Sequence, residues 1–582
     1  MTDSLVCDPP RLDWSDPSGP RAEDYGDVYF SAEDGLAETR AVFLQACGLP
    51  EAWAGRQTFT VGELGFGTAL NALALWQLWR VTRPADGWLD LVSVEKHPLS
   101  RRDAEQAFAQ WPELADLSAQ LLAQWPPRLK GPHRMVFPGD RFAITVFHDE
   151  AEAALAQWEA RIDAWFLDGF APARNEAMWS DSVLAHLGRL SAPGARVGTF
   201  TVAGAVRRGL AAAGFEVSKQ AGFGRKRERL EAVFPGTPAS AALAPKRVAV
   251  IGAGIAGASL ARALTARGRE VVLIDQAGLA GGASGAPAGL LTPRLERADR
   301  PHVRATLSAF HFARQLYDGL DGFFPEAVIR RPKDEAEAGR FQAIAAMMDD
   351  SVTWSGGALA LQQAGRFEPA RLVRSVTGGC PLVEARVSQV EEEADGVILR
   401  DAAGAEILRA DAVVHASGAA AAMALVDISP SAGQLAVFAG QAPAQALTWG
   451  GYICAAPGGV LVGATHERGE TVGPSETAIA GFRAAAAEQC PGLELGDVIE
   501  TWSGVRASTP DRLPVAGRLS ARQFILSGLG SRGFAHAPLL AEQVVADMLD
   551  QARPLARDAA EALAPGRFEA RRQRRAGQMA KT

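Results

Sequence analysis

Cysteine is scarce, with five in 582 residues (Cys7, Cys47, Cys380, Cys454 and Cys490) and no C-x-x-C pair among them. That spacing excludes a disulfide framework and a zinc site, and the thiols read as ordinary core or surface residues of a protein kept reduced. Long apolar runs are missing too. The longest stretch without formal charge, Ile428 to His466, is interrupted by Pro430, Pro443 and Pro457, so no run of about 20 apolar residues is available to span a bilayer. The opening Met1-Thr-Asp-Ser-Leu-Val-Cys-Asp carries acids where a secretory signal has bases and lacks an apolar core, so the expected location is the cytoplasm. Net positive charge is also absent. With 59 Lys and Arg against 67 Asp and Glu, the net charge is -8, which argues against nucleic-acid binding unless the bases are clustered.

Two clusters exist. Gly224-Arg-Lys-Arg-Glu-Arg229 holds four bases against one acid, and the tail has Arg567, Arg571, Arg572, Arg574, Arg575 and Lys581 against Glu569. Taken alone, each reads as a solvated face or a frayed end. The chain is several times the usual domain length, and its 48% hydrophobic and 22% charged residues fit folded cores. Pro235 to Lys246, rich in Pro and Ala and without apolar period, is the expected linker between domains 1–234 and 247–582. Each side opens with a β-branched strand, a glycine turn and a helix, which implies two α/β nucleotide-binding folds.

In the first half, Thr58 to Leu64 reads as a buried strand, Gly65-Phe-Gly67-Thr as a turn, and Ala69 to Trp79 as an apolar helix. Glycines at such a turn let a ligand approach the backbone, with the Glu63 carboxylate alongside. The strand Leu89 to Glu95 ends in an acid placed to hold two ribose hydroxyls, and Asp149 and Asp168 end the strands that begin at Phe142 and Ala164. One strand-end acid is usually a cap; four after a glycine turn mark the carboxyl edge of a parallel sheet, where such folds bind ligands. The series resembles class I S-adenosylmethionine-dependent methyltransferases. That resemblance implies Glu63, Gly65 and Gly67 near the methionine part of the donor, Glu95 on its ribose and Asp149 near its adenine amine. Asp168-Gly-Phe-Ala-Pro172 departs from the Asp-Pro-Pro-Tyr type sequence common in amino-group methyltransferases, which weakens the case for a stacked ring amine and leaves an aliphatic amine as nucleophile. Neutralising an amine of pKa about 10.4 at pH 7 costs about 4–5 kcal/mol, and Asp168 is expected to orient it and accept its proton.

In the second half, Lys246 to Gly257 is a strand running into G-x-G-x-x-G (Gly252, Gly254, Gly257), followed by a helix and the strand Glu270 to Asp275. Tight turn, helix N-terminus for a pyrophosphate and an acid for a ribose together define a dinucleotide site. Gly281-Gly-Ala-Ser284-Gly285-Ala-Pro-Ala-Gly289 and Ala412-Val-Val-His-Ala-Ser-Gly418 resemble the flavin-lining segments of the D-amino acid oxidase and glycine oxidase family, which favours FAD over NAD. Trp502-Ser-Gly-Val-Arg506 and Gly528-Leu-Gly530-Ser-Arg532-Gly-Phe534 look like that family's substrate and isoalloxazine segments. The resemblance places a substrate carboxylate against Arg506 and Arg532, with Tyr452 as a hydrogen-bonding wall; His415 and His536 receive no role.

Asp27 to Ser31, Gly35 to Leu44, Asp163 to Asn175, Gly222 to Glu228 and Leu529 to Gly533 are similar to a family of bifunctional tRNA-modifying enzymes, over nearly the whole chain. The implied fold is an N-terminal Rossmann-like methyltransferase domain plus a C-terminal FAD-binding Rossmann-type domain with an α+β substrate subdomain. The implied partner is tRNA, with no membrane and no metal. FAD-dependent removal of a carboxymethyl group from a wobble-uridine side arm would precede methylation of the exposed amine by S-adenosyl-L-methionine. Arg207, Arg208 and Arg225-Lys226-Arg227 then become candidates for phosphate contacts. Two rivals stay open on the residues alone: a small-molecule amine oxidase fused to an unrelated methyltransferase, and a first half that only holds tRNA. The first rival predicts salt-insensitive activity on free N-methylglycine or glycine, whereas tRNA binding weakens steeply with salt.

Overall fold

The computed structural model describes residues 4–16, 19–30, 34–224, 226–237, 244–419, 425–469, 473, 475–569 and 572. Contacts divide the chain into two units, one of Ser4–Leu243 with Asp550–Asp558, the other built mainly of Ala244–Leu549. The piece Asp550–Asp558, expected with the second half, thus groups with the first unit. There Ala552 is buried in a cluster with Leu155 and Trp158, and the Asp558 N–H donates to Gln157.

The first unit is built on strands β1 (Thr58–Leu64), β2 (Trp88–Glu95), β3 (Gly131–Phe137), β4 (Phe142–His148), β5 (Ile162–Leu167), β6 (Ser191–Thr199), β7 (Glu216–Ala221) and β8 (Glu228–Val233). Their order in the sheet is β7-β8-β6-β5-β1-β2-β4-β3. The central strands β1, β2, β4, β5 and β6 are parallel and covered on both faces, so they read as near-continuous apolar runs. Chain order reverses at β1, the switch point where open α/β sheets bind ligands. The four acid-ended strands are therefore β1, β2, β4 and β5. They are not consecutive: β3 intervenes, antiparallel to β4 at the sheet edge. Helix α1 (Leu70–Thr82) starts one residue later than expected, because Ala69 takes a left-handed conformation (φ 61°) that closes the glycine turn.

The second unit has a six-stranded sheet of β9 (Arg247–Ile251), β10 (Glu270–Ile274), β11 (Leu382–Val383), β12 (Ala412–His415), β13 (Val515–Arg518) and β14 (Gln523–Ser527), in the order β11-β10-β9-β12-β14-β13. Only β13 runs antiparallel. Helix α2 (Ile255–Ala266) follows β9 directly. A separate nine-stranded, mostly antiparallel sheet contains Ser429–Phe438, the hairpin Tyr452–Ala456 with Gly459–Gly463, and Val498–Ser508. Among the described residues no helix is long and apolar enough to cross a membrane, and no group of three acidic, His or Cys side chains could hold a metal ion.

Candidate active sites

In the first unit, the carboxyl ends of β1, β2, β4 and β5 open on a cavity of about 720 Å³. Gly65 has φ +89°, and a Cβ there would stand 2.2 Å from the Asp168 carbonyl oxygen, so only glycine lets the turn pass between the two strand ends. Glu95 accepts the Gly67 N–H at 2.8 Å through Oε2 and the His97 N–H at 2.8 Å through Oε1. Each oxygen retains an acceptor position, which suits a ribose diol. Asp149 lines the same cavity, as do Gly65 and Gly67. A bare glycine turn beside two strand-end carboxylates is chemistry that fits a methyl donor carrying a ribose and an adenine.

Asp168 also lines the cavity, and its Oδ2 accepts a hydrogen bond from Asn71 Nδ2 at 2.7 Å. Burial pushes its carboxyl up to about 7, with Glu38 and Asp27 adding to the rise and Asn71 and Lys226 opposing it. A carboxylate poised there can accept a proton near neutral pH. The aromatic walls include Phe170, two residues after Asp168, stacked on Tyr25 at 4.6 Å and edge-on to Tyr29 at 5.3 Å.

Glu63 departs from expectation. It is fully buried and does not line the cavity; its oxygens accept from Ser93 Oγ at 2.7 Å and Asn71 Nδ2 at 3.1 Å. Glu63 lies within β1, one residue short of its end, and its carboxyl is enclosed between Ser93 on the neighbouring strand and Asn71 on α1, whereas Gly65 lies in the turn beyond the strand. Burial pushes this carboxyl up to about 8, against the hydrogen bonds from Ser93 and Asn71. The folded state therefore binds more protons than the unfolded chain between the ordinary carboxylate range and pH 8, and stability falls as pH rises through that window. Glu63→Gln lacks this dependence. Its melting temperature should gain on the parent between pH 5 and pH 8.5, by about 2–4 °C per ~1 kcal/mol; a gap that stays constant across that range in calorimetry would refute a buried neutral Glu63.

Lys226, a candidate for phosphate contact, instead pairs with Glu38 at 2.8 Å, lies 4.5 Å over the Phe200 ring and lines the cavity. Arg207, Arg208 and Arg227 are exposed. Arg225, Ser31 and the tail residues Arg571, Arg574, Arg575 and Lys581 lie outside the described residues. Arg567 is engaged by Asp511 and the Leu513 carbonyl, and Arg572 by Asp427. Sequence reasoning missed Glu38, Thr39 and Asn71; the available signal for Asn71 was an amide among the apolar residues of the first two turns of the helix.

In the second unit, Gly252 (φ +111°) could carry a Cβ only 2.4 Å from the Ala416 carbonyl, and Gly257 only 1.9 Å from the Gly252 carbonyl. Gly254 is more open, its nearest neighbour being Ser284 Oγ at 3.0 Å from a built Cβ. Ser284 Oγ accepts the Ile255 N–H at 3.1 Å at the start of α2. Asp275 accepts from the Ala253 and Ala277 N–H groups at 2.9 and 2.8 Å, which fixes its carboxylate at the end of β10 beside the turn. Gly418, Gly528 and Gly530 all have φ near +60°, and a Cβ on Gly285 would lie 2.7 Å from the Ala280 carbonyl. Bare turns, a helix N-terminus and a strand-end acid together fit a dinucleotide.

Tyr452 and Arg506 come together on the nine-stranded sheet. Burial lowers Arg506, with Tyr452 opposing, and burial raises Tyr452, whose hydroxyl donates to the Ala288 carbonyl at 3.3 Å. Arg506 Nη1 is 3.4 Å from both the Thr465 carbonyl and His466 Nδ1. Arg532 keeps different company. Burial lowers it to about 10, helped by Arg330 and Arg294, and its Nε has no hydrogen-bond partner among the described residues. A desolvated guanidinium with an unused donor is prepared for an anion. His415 bonds Gln523 at 3.0 Å, and burial drives His536 down to about 3, so it stays neutral.

A methyl-donor cavity on one unit and a dinucleotide cradle on the other define a methyltransferase joined to a flavin oxidoreductase. Residues 112–235 match the family of S-adenosyl-L-methionine-dependent methyltransferases, and residues 247–548 match the FAD-dependent oxidoreductases. A protein of Maricaulis maris (strain MCS10), described as tRNA 5-methylaminomethyl-2-thiouridine biosynthesis bifunctional protein MnmC, is 64% identical over 99% of both chains. A protein of the same description from Caulobacter vibrioides is 44% identical over 96% of this chain and 98% of its own. The crystal structure of glycine oxidase from Geobacillus kaustophilus is 25% identical, with TM-score 0.46, over 52% of this chain and 95% of its own. The chain belongs to the MnmC family of bifunctional proteins.

Proposed function

We infer that this chain performs two successive reactions on one nitrogen of the tRNA wobble uridine. The carboxymethyl group of 5-carboxymethylaminomethyl-(2-thio)uridine is removed, and the resulting 5-aminomethyl group is methylated to 5-methylaminomethyl-(2-thio)uridine. The observation that carries this reading is the pairing, on one chain, of a cavity holding a carboxyl poised near pH 7 with a dinucleotide turn and half-buried arginines. In this reading 1–234 form the methyltransferase domain, 235–246 the linker and 247–582 the oxidoreductase domain, with Asp550–Asp558 returning to the first unit. The protein works in the cytoplasm, where tRNA is available.

On the oxidoreductase side, Gly252, Gly254, Gly257, Asp275, Ser284, Gly285, Gly418, Gly528 and Gly530 hold the flavin. FAD supplies the two-electron acceptor for oxidation of the carbon between the nitrogen and the carboxylate. Arg506 and Arg532 hold that carboxylate, Arg532 through its unused buried donor, and the Tyr452 hydroxyl borders the amine. Hydrolysis of the resulting C=N bond releases glyoxylate and leaves the primary amine.

On the methyltransferase side, Gly65, Gly67, Glu95 and Asp149 hold the donor. S-adenosylmethionine supplies the methyl group on an electrophilic sulfonium. Asp168 receives the ammonium of the side arm, orients it and takes its proton, so the neutral nitrogen attacks in line with the departing sulfur. The decisive experiment is nucleoside mass spectrometry of tRNA from a deletion strain. The carboxymethylaminomethyl nucleoside should accumulate, and this chain should restore the methylaminomethyl product. An unchanged modification profile, or salt-insensitive turnover confined to free N-methylglycine or glycine, would favour the small-molecule oxidase instead.

A further inference from the structure

We propose that Asn71 is the positioning residue of methyl transfer, its side-chain amide clamping the Asp168 carboxylate in a hydrogen-bonded chain that begins at Thr39 and is closed by Glu63. The inference rests on the function proposed above and assigns to that site Thr39 and Asn71, which have no role in it so far, together with a new role for Glu63.

Asn71 is the second residue of α1, directly after the glycine turn, and is 5% exposed while still reaching the cavity wall. A primary amide offers two N–H donors and one carbonyl acceptor, and all three functions are used here. Oδ1 accepts from Thr39 Oγ1 at 2.9 Å, and Nδ2 donates to Asp168 Oδ2 at 2.7 Å and to Glu63 Oε1 at 3.1 Å. The reverse orientation would turn the amide oxygen toward two carboxyl groups, so the chemistry admits only one. Thr39 stands where the short helix Gly35–Thr39 passes into a π-helical turn, Arg40–Gln45, an irregularity frequent at functional sites.

The clamp has a directional consequence. With Oδ2 held by Asn71, Asp168 Oδ1 accepts no hydrogen bond from a described residue and is the oxygen left for the substrate ammonium. Glu63 lies opposite Ser93 on neighbouring strands and is bonded to it at 2.7 Å. Were Glu63 ionised, two carboxylates would share one amide nitrogen; as a neutral acid it leaves Asp168 the anion of the pair. The charged or titratable groups facing Asp168 are Glu38 on the short helix, Asp27 on the strand Asp27–Val28, Lys226 in the turn before β8, and Glu63 on β1. The Asn71 hydrogen bond favours the carboxylate form of Asp168, so its loss makes that group ionise at higher pH.

The test uses the full-length protein, radiolabelled S-adenosylmethionine and tRNA bearing the aminomethyl nucleoside. Asn71→Leu, close in shape but without the amide, should lower kcat by about 10²-fold, since small misplacement of a reacting group has effects of that size. The KM for the methyl donor should stay within about 3-fold, and the ascending limb of kcat against pH should move up by at least about half a unit. Asn71→Asp should move it further, because it adds a third carboxyl group. Glu63→Gln, which keeps the hydrogen-bonding shape of the neutral acid, should leave the KM for the methyl donor within about 3-fold of the parent. A reduced kcat with an unmoved limb would make Asn71 merely structural and overturn the proposal. So would a rise of about 10-fold or more in donor KM for Glu63→Gln, which would mark Glu63 as a donor-binding carboxylate. Should the Asn71 variants fail to fold, Thr39→Val removes only the first link. It should lower kcat by about 3–10-fold with the same direction of limb shift, and an unmoved limb there overturns the proposal equally. A parent that transfers no label to this tRNA would instead defeat the proposed function itself.

Discussion

Asp168→Asn should reduce methyl transfer by about 10²–10⁴-fold while leaving binding of the methyl donor within a few-fold of the parent. Asparagine keeps the volume of the side chain and can still accept from Asn71, so the cavity wall survives; what disappears is the group that takes a proton. The parent offers a second signature. Because burial pushes Asp168 up to about 7, it is protonated below neutrality and useless as an acceptor there, so the rate should climb as pH rises through that value. The variant should lose the climb along with the rate. Calorimetry with S-adenosylmethionine and single-turnover labelling of tRNA check both halves; turnover above a tenth of the parent would reduce Asp168 to a loop anchor.

Gly257→Ala should yield a colourless protein with no oxidase activity, and tRNA from a deletion strain carrying it should retain the carboxymethylated nucleoside. The added methyl group would stand 1.9 Å from the Gly252 carbonyl, a backbone atom of the turn that faces the start of α2. Either the helix or the turn must move, and overpacking of that kind costs about 1–3 kcal/mol or more besides dislodging the phosphate cradle. Gly254→Ala is the informative companion. Its methyl group meets only Ser284 Oγ, at 3.0 Å, so the folded protein should tolerate it with a small shift of that hydroxyl. Loss of flavin absorbance in Gly254→Ala with near-parent thermal stability would then report the close approach of the cofactor. Full flavin content in Gly257→Ala would show that the turn does not hold the pyrophosphate.

The residues legible in the sequence were those whose meaning is local. Gly65, Gly67 and Gly252 announce turns because their backbone is left-handed, Gly257 marks where α2 packs closely on the turn, and Glu95, Asp149 and Asp275 sit at the ends of strands marked by β-branched runs. What escaped depended on partners distant in the chain. Asn71 matters through Asp168 and Thr39, 97 and 32 residues away, and Lys226 through Glu38, 188 residues away. No spacing rule reaches that far. Glu63 is legible as an acid near the end of a strand, but its partners Ser93 and Asn71 come from other elements and emerge only in the fold. Arg330 and Arg294 were equally invisible, since their nearness to Arg532 arises only once the second unit has folded.

The return of Asp550–Asp558 to the first unit bears on how the molecule is made. The ribosome releases the strands of the methyltransferase sheet early, yet the piece carrying Ala552 is translated only after everything through Leu549. Until then the apolar surface beside Leu155 and Trp158 waits uncovered, and completion of the amino-terminal half is deferred to the end of synthesis. Severing the chain at the linker would therefore not liberate two finished proteins, and a gene split there would leave the upstream product missing a stave.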